Sequence, residues 1–187
     1  VLVTGQDPEN LRLLGQVTVH TVVFPSELAG LPDVVGARPF DEYFARLSAG
    51  IAEAAHLPLA LRRALRYVVA QRPADVPVSS TDPRAPARTV GVLAERLEYS
   101  PAYLSRLAAS SGLRLGRFIR GCIVLRALEL ILAEGATVER AAWRMGFEHS
   151  SGLSDLCMRM IGVRPSCAKR EDVGALVARM LEAFPRD

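Results

Sequence analysis

The sequence predicts a mainly α fold: a tandem helix-turn-helix domain, preceded by a linking helix and a small strand–helix–strand α/β fragment. A repeat carries most of that reading. Residues 89–107, TVGVLAERLEYSPAYLSRL, and residues 137–157, TVERAAWRMGFEHSSGLSDLC, follow one pattern. Each starts with Thr-Val and a short amphipathic stretch (Leu93, Ala94 and Leu97; Ala141, Ala142 and Met145). An aromatic-containing turn follows (Glu98-Tyr99-Ser100; Gly146-Phe147-Glu148), then a second helical stretch with a Leu-Ser pair. Between the repeats, residues 115–133 read as one long helix. Ahead of them, the β-branched runs cluster in the first 24 residues.

From the N-terminus, Val1–Thr4 and Val17–Phe24 are strand-like and flank GQDPENLRLLG, a short helical pattern opened by Asp7 and Pro8. Two strands cannot cover both faces of a parallel sheet, so residues 1–36 are read as a partial unit whose other strands lie upstream. Val1 in place of an initiator Met agrees with a fragment. Residues 37–56 are the linking helix, with Phe40, Tyr43, Phe44, Leu47 and Ile51 at three- and four-residue spacings. Asp41 and Glu42 suit its N-terminus through the helix dipole. Its stripe has two readings: packing on its own domain, or joining two chains as a homodimer through residues upstream of 57.

Pro58 breaks that pattern, and Leu61, Leu65, Val68 and Val69 carry a second helix to about Gln71. Residues 73–88 hold four Pro among Asp, Ser and Thr, the composition of a mobile loop. The long helix has Phe118, Ile119, Cys122, Ile123, Leu128 and Ile131 as apolar positions, and Gly135 stops it. After the second repeat, Gly162-Val163-Arg164-Pro165-Ser166 form a turn before a short closing helix. Residues 172–187 are read as a helical tail, with Val173, Leu176, Val177, Met180 and Leu181 along one side.

Composition narrows the function. Half of the 187 residues are apolar, enough for a buried core and against wholesale disorder. No apolar run reaches the ~18 residues of a membrane span, and Val1-Leu2-Val3 lacks the basic start of a secretory signal. Cys122, Cys157 and Cys167 are odd in number and lack zinc-site spacing, which suits reduced thiols in the cytoplasm. His20, His56 and His149 have no ligand spacing, His149 reading as a solvated partner of Glu148 at a helix start. With no nucleophile motif and no phosphate-cradling glycine loop, neither an enzyme nor a cofactor is expected.

The net charge of +3 is unevenly spread. Residues 1–56 carry three Arg against seven acidic residues, whereas residues 57–171 carry eighteen Arg plus Lys against ten. The excess lies on the repeated motif, where attraction to phosphate needs it. Two short helices meeting at a tight turn form the unit that lays its second helix in a DNA major groove. A connector of nineteen residues at ~1.5 Å each spans ~28 Å. That approaches the ~34 Å between successive major grooves on one face, so both units can address one side of double-stranded DNA.

Residues 57–171 resemble the DNA-binding domain of the arabinose-regulator (AraC) family of bacterial transcription factors. The resemblance lies in LAERLEYSPAYLSRL, GLRLGRFIR, the run from Arg126 to Ile131, AAWRMGF and GVRP. It implies a seven-helix domain whose third helix (about 101–110) and sixth helix (about 149–160) enter adjacent major grooves, with RNA polymerase as a further partner. By that resemblance Ala102, Ser105 and Arg106 face bases or phosphates from the first unit, and Ser151, Ser154 and Asp155 from the second. Arg106 is the strongest, since a guanidinium can bind guanine O6 and N7 bidentately; its competing role is an internal salt bridge. Ser100 is expected to cap the third helix, and Tyr103, Leu104 and Trp143 to lie in the core. Residues 1–36 resemble the second half of a response-regulator receiver domain, with Thr4 matching and Phe24 standing where that family has Lys.

Several positions depart from the family's pattern. Asp155 stands where Arg is usual, Cys157 and Ala108 where a core Phe is, Gly152 for an aromatic, and Ile123 for an Arg. Glu98 takes the place of the turn Gly, where a positive φ costs ~1 kcal/mol or more. The alternative reading is therefore a helix-turn-helix scaffold with weakened or lost DNA binding, serving as a protein-interaction or regulatory module.

Overall fold

The computed structural model describes residues 39–54, 56–79 and 81–182. The strand–helix–strand reading of residues 1–36, and the receiver likeness with it, lie outside the described residues. The chain divides into two compact units, residues 1–41 and 42–187, and the boundary falls within the first turn of a helix.

The regular elements among the described residues are all helices: α1 (Pro39–Glu53), α2 (Leu59–Ala70), α3 (Val90–Arg96), α4 (Pro101–Ser110), α5 (Leu115–Leu132), α6 (Val138–Arg144), α7 (Ser150–Ile161), a 3-10 turn at Pro165–Cys167, and α8 (Arg170–Glu182). The short helices start where their sequence supplies caps. The hydroxyls of Thr89, Ser100 and Thr137 accept from the amides of Val92, Tyr103 and Arg140 at 3.2, 3.1 and 3.2 Å, each satisfying an otherwise orphaned donor. Pro101 adds a preset φ at the first position of α4. At the far end of α7, Gly162 turns the chain with φ 80°, a conformation that costs glycine nothing.

Helix α5 is buried on nearly every side, from Leu115 to Leu130, the signature of a central helix. Helices α2, α3, α6, α7 and α8 all pack on it. At Gly121 a Cβ would stand 2.6 Å from the Met180 sulfur, so the bare backbone there leaves room for that side chain of α8. The short closing helix and the separate tail expected after residue 166 are in fact one element. Arg170–Glu182 buries Val173, Leu176, Val177 and Met180 against α5 and α7, so a boundary drawn at 171/172 falls inside a helix.

One buried guanidinium joins three helices. Arg126 of α5 is 6% exposed and donates to the carbonyls of Gln71 and Val69 at 2.9 and 3.1 Å and to Glu129 Oε2 at 2.8 Å. Those carbonyls close the C-terminal turn of α2, where intrahelical partners run out. The same guanidinium lies over the Phe44 ring of α1, whose stripe residues Phe44, Leu47 and Ile51 are buried.

Residues 73–88 are the loop their composition predicts, and the structure shows what it is attached to. The described residues of this stretch form no helix, but they are tied at both ends and in the middle. The Ala87 amide donates to Gln71 Oε1 at 3.0 Å, closing the loop on itself. The amides of Ala74 and Val78 donate to the carbonyls of Arg144 and Trp143, each at 3.2 Å. Arg144 Nε returns a bond to the Ala74 carbonyl at 2.6 Å. Ala74, Val78 and Ala85 form a small buried cluster of their own. Prolines remove donors and stiffen the chain but do not prevent the remaining amides from capping a distant helix.

Candidate nucleic-acid interface

The two repeats fold alike down to single hydrogen bonds. After α3 the chain turns through Glu98 at φ 59°, and after α6 it turns through Gly146 at φ 75°. In each case the following aromatic residue bonds back to the helix: Tyr99 N–H to the Ala94 carbonyl at 2.8 Å, Phe147 N–H to the Ala142 carbonyl at 2.9 Å. This left-handed stop with its six-residue bond is a Schellman motif, and it sets the sharp angle between the helices of each unit. Glu98 thus adopts the strained conformation its place in the repeat requires, while Gly146 meets the same demand without strain.

Helices α4 and α7 each bury one side and leave the other open. Leu104 and Ala108 turn inward on α4, and Leu153, Leu156, Cys157 and Met160 on α7. Of the six residues singled out from sequence, Ala102, Ser105, Arg106, Ser151 and Asp155 are exposed, and Ser154 is half-buried. Arg106 takes part in no ion pair among the described residues, so its guanidinium is not committed to an internal salt bridge. Ser100 caps α4, as its position predicts.

Two expected core residues are not in the core. Tyr103 and Trp143 are each 40% exposed. Tyr103 sits beside the open side of α4, its ring 5.7 Å from that of Tyr99, and Met158 on α7 is 47% exposed. Helices of seven to ten residues have too few turns for periodicity to fix which side faces in, so ring size is a poor guide. Cys157 and Ala108, the small residues at core positions, are indeed fully buried. The half-open space at Gly152 is filled from the side: a Cβ there would stand 3.1 Å from the Phe147 ring.

That ring also carries a charge on its face. The Arg88 guanidinium lies 4.7 Å from the Phe147 centroid, a distance at which the ring quadrupole attracts a cation. Burial there disfavours the charged form of Arg88, and Glu148 nearby opposes that effect. Among the described residues no cluster of His, Cys, Asp and Glu could hold a metal ion, and no helix is long and apolar enough to cross a membrane.

Two capped, Schellman-turned helix pairs on one central helix define a tandem helix-turn-helix domain. Residues 93–171, from within α3 to the first turn of α8, match the model of a family described as a helix-turn-helix domain. The match is of the arabinose-regulator type, consistent with the DNA-binding domain of that family of transcription regulators. No curated protein and no solved structure gives a significant match to the chain.

Proposed function

We propose that residues 57–171, closed by α8, bind double-stranded DNA sequence-specifically and regulate transcription, with α4 and α7 entering successive major grooves. The observation that carries this reading is the repeat itself: two units with the same cap, turn and left-handed stop, each offering an open helix side. At ~1.5 Å per residue the 18 residues of α5 span ~27 Å, close to one groove repeat of ~34 Å. The eight-charge positive excess of residues 57–171 supplies attraction to phosphate. Ala102, Ser105 and Arg106 read from the first unit, with Tyr103 beside them; Ser151, Ser154 and Asp155 occupy the second. RNA polymerase is the expected protein partner, and the cytoplasm the expected place of action. A homodimer through residues upstream of 57 would have to use surfaces other than Phe44, Leu47 and Ile51, which are buried.

A second reading, a scaffold with weakened DNA binding that docks a protein, is favoured by the exposed pair Asp155 and Met158 on α7. A carboxylate repels phosphate, and an exposed Met suits an apolar partner. Gel shifts against pools of random-sequence duplex at low and moderate salt separate the two. Retained complexes that enrich a common sequence support the first. Binding that vanishes at moderate salt, with no enriched sequence, supports the second.

A further inference from the structure

We propose that residues 72–88 act as a strap that fixes the separation of α4 and α7 and so determines which spacing of two half-sites is accepted; the half-site part rests on the DNA-binding reading above. In sequence the strap belongs to the first unit, since it leads directly into Thr89, the cap of α3. Its Asp82 carbonyl accepts from Arg96 of that unit at 3.5 Å, but the amides of Ala74 and Val78 bond to the second unit.

The Arg144 carbonyl, at the end of α6 where intrahelical donors run out, accepts from the Ala74 amide, and the Val78 amide joins the Gly146 amide on the Trp143 carbonyl. Arg144, at the end of α6, reaches back to the Ala74 carbonyl through Nε and holds Glu134 at 2.9 Å through Nη1. Where the strap leaves for α3, Arg88 stacks on Phe147, and Phe147 rests on Gly152 in the first turn of α7. The start of the first unit is thereby linked to the start of the second reading helix through two side chains.

Mechanically, α5 is one connection between the units, since helices of both pack on it. A single helical connection leaves rotation and bending about its ends. The strap is a second, separate connection whose ends are pinned together by Ala87 and Gln71. Two connections at different places define an orientation as one does not. Buried Ala74, Val78 and Ala85 give the strap a footing of its own.

The test measures the separation directly. Nitroxide labels at Ala109→Cys on α4 and Arg159→Cys on α7, in a Cys167→Ser background, give a distance distribution by pulsed electron resonance. The intact strap should give one narrow distribution. Arg88→Gln removes only the stacking cation and should broaden or shift it; adding Arg144→Ala should broaden it further. Circular dichroism establishes that each variant remains folded, and Arg88→Gln, a half-exposed residue, stands in should the double variant unfold. An unchanged distribution in the folded variants overturns the proposal.

Unlabelled protein is then tested on duplexes whose half-sites are moved apart by single base pairs. The intact chain should favour one spacing, and Arg88→Gln should flatten that preference by roughly tenfold while leaving binding to one half-site in place. A spacing profile unchanged by the variant also overturns the proposal. Failure of the intact chain to bind any duplex defeats the DNA-binding reading instead, and the distance measurement still decides whether the strap holds the units.

Discussion

The guanidinium of Arg126 lies 3.3 Å from the centre of the Phe44 ring while its nitrogens bond two carbonyls that end α2 and the carboxylate of Glu129. One side chain therefore holds α1, α2 and α5 together, and its bonds to Glu129 and to the Val69 carbonyl are buried. Removing one partner of such an arrangement costs more than the pair contributes, because it strands the other partner's charge.

Arg126→Ala is accordingly expected to lower stability by about 3–5 kcal/mol, read as a fall in the urea midpoint at unchanged slope. Glu129→Gln keeps an acceptor beside Arg126 and should cost less. Equal losses for the two would show that the carboxylate, rather than the α2 carbonyls and the Phe44 ring, is what Arg126 chiefly serves.

Arg106→Ala should weaken binding to a preferred duplex by about 1–3 kcal/mol if the guanidinium holds a guanine bidentately. Titration against a panel of single-base variants checks it: the loss should concentrate at one position. A loss spread evenly over all sequences would assign Arg106 to phosphate, and no loss would take it out of the interface.

Asp155→Arg separates the two functional readings. With α7 near the duplex, affinity should rise and the plot of log K against log salt should steepen by one to two contacts' worth, at ~0.9 per phosphate neutralised. If α7 serves a protein partner, DNA binding should stay flat. A fall in affinity with changed base preference would instead make Asp155 a reader of cytosine N4.

Glu98→Gly should stabilise the domain. A left-handed residue other than glycine costs about 1–2 kcal/mol, while glycine costs roughly 0.5–1 in unfolded-chain entropy. The net gain of about 0.5–1 kcal/mol should raise the thermal midpoint by roughly 1–4 °C. A lowered midpoint would mean that the Glu98 side chain compensates its own strain.

The thiols should divide sharply. Burial pushes Cys157 up to about 12 and Cys122 higher still, while Cys167 is exposed. A disulfide reagent should therefore titrate Cys167 fast and the other two only on unfolding. Because the folded value of Cys157 lies above its ordinary 9.0, protonation favours the fold fully below about pH 9 and the benefit is lost as pH rises toward 12. The urea midpoint should fall over that range, and Cys157→Ala should blunt the fall.

What could be read from sequence was local. Ser100 announces a helix start by residue type, Thr89 and Thr137 open the two copies of the repeat, and the Glu98 strain follows from its place in a repeat whose other copy carries Gly146. The 18 residues of α5 were long enough for their pattern to show. The exposure of Tyr103 and Trp143 was not legible, because α4 and α6 are short and the rings could lie on either side. Nor was the strap: its prolines say loop, but Ala74 finds Arg144 seventy residues on, a pairing with no periodic trace. Likewise the stacking of Arg88 on Phe147 joins residues fifty-nine apart, and only the folded chain brings them together.

Trp143, the chain's single tryptophan, sits where its carbonyl receives the Val78 amide, and the residue is 40% exposed. The molecule therefore contains one indole chromophore, placed at the joint between the strap and α6. Its emission colour and its accessibility to a dissolved quencher will register any opening of that joint. Events elsewhere in the chain have no second indole through which to blur the signal.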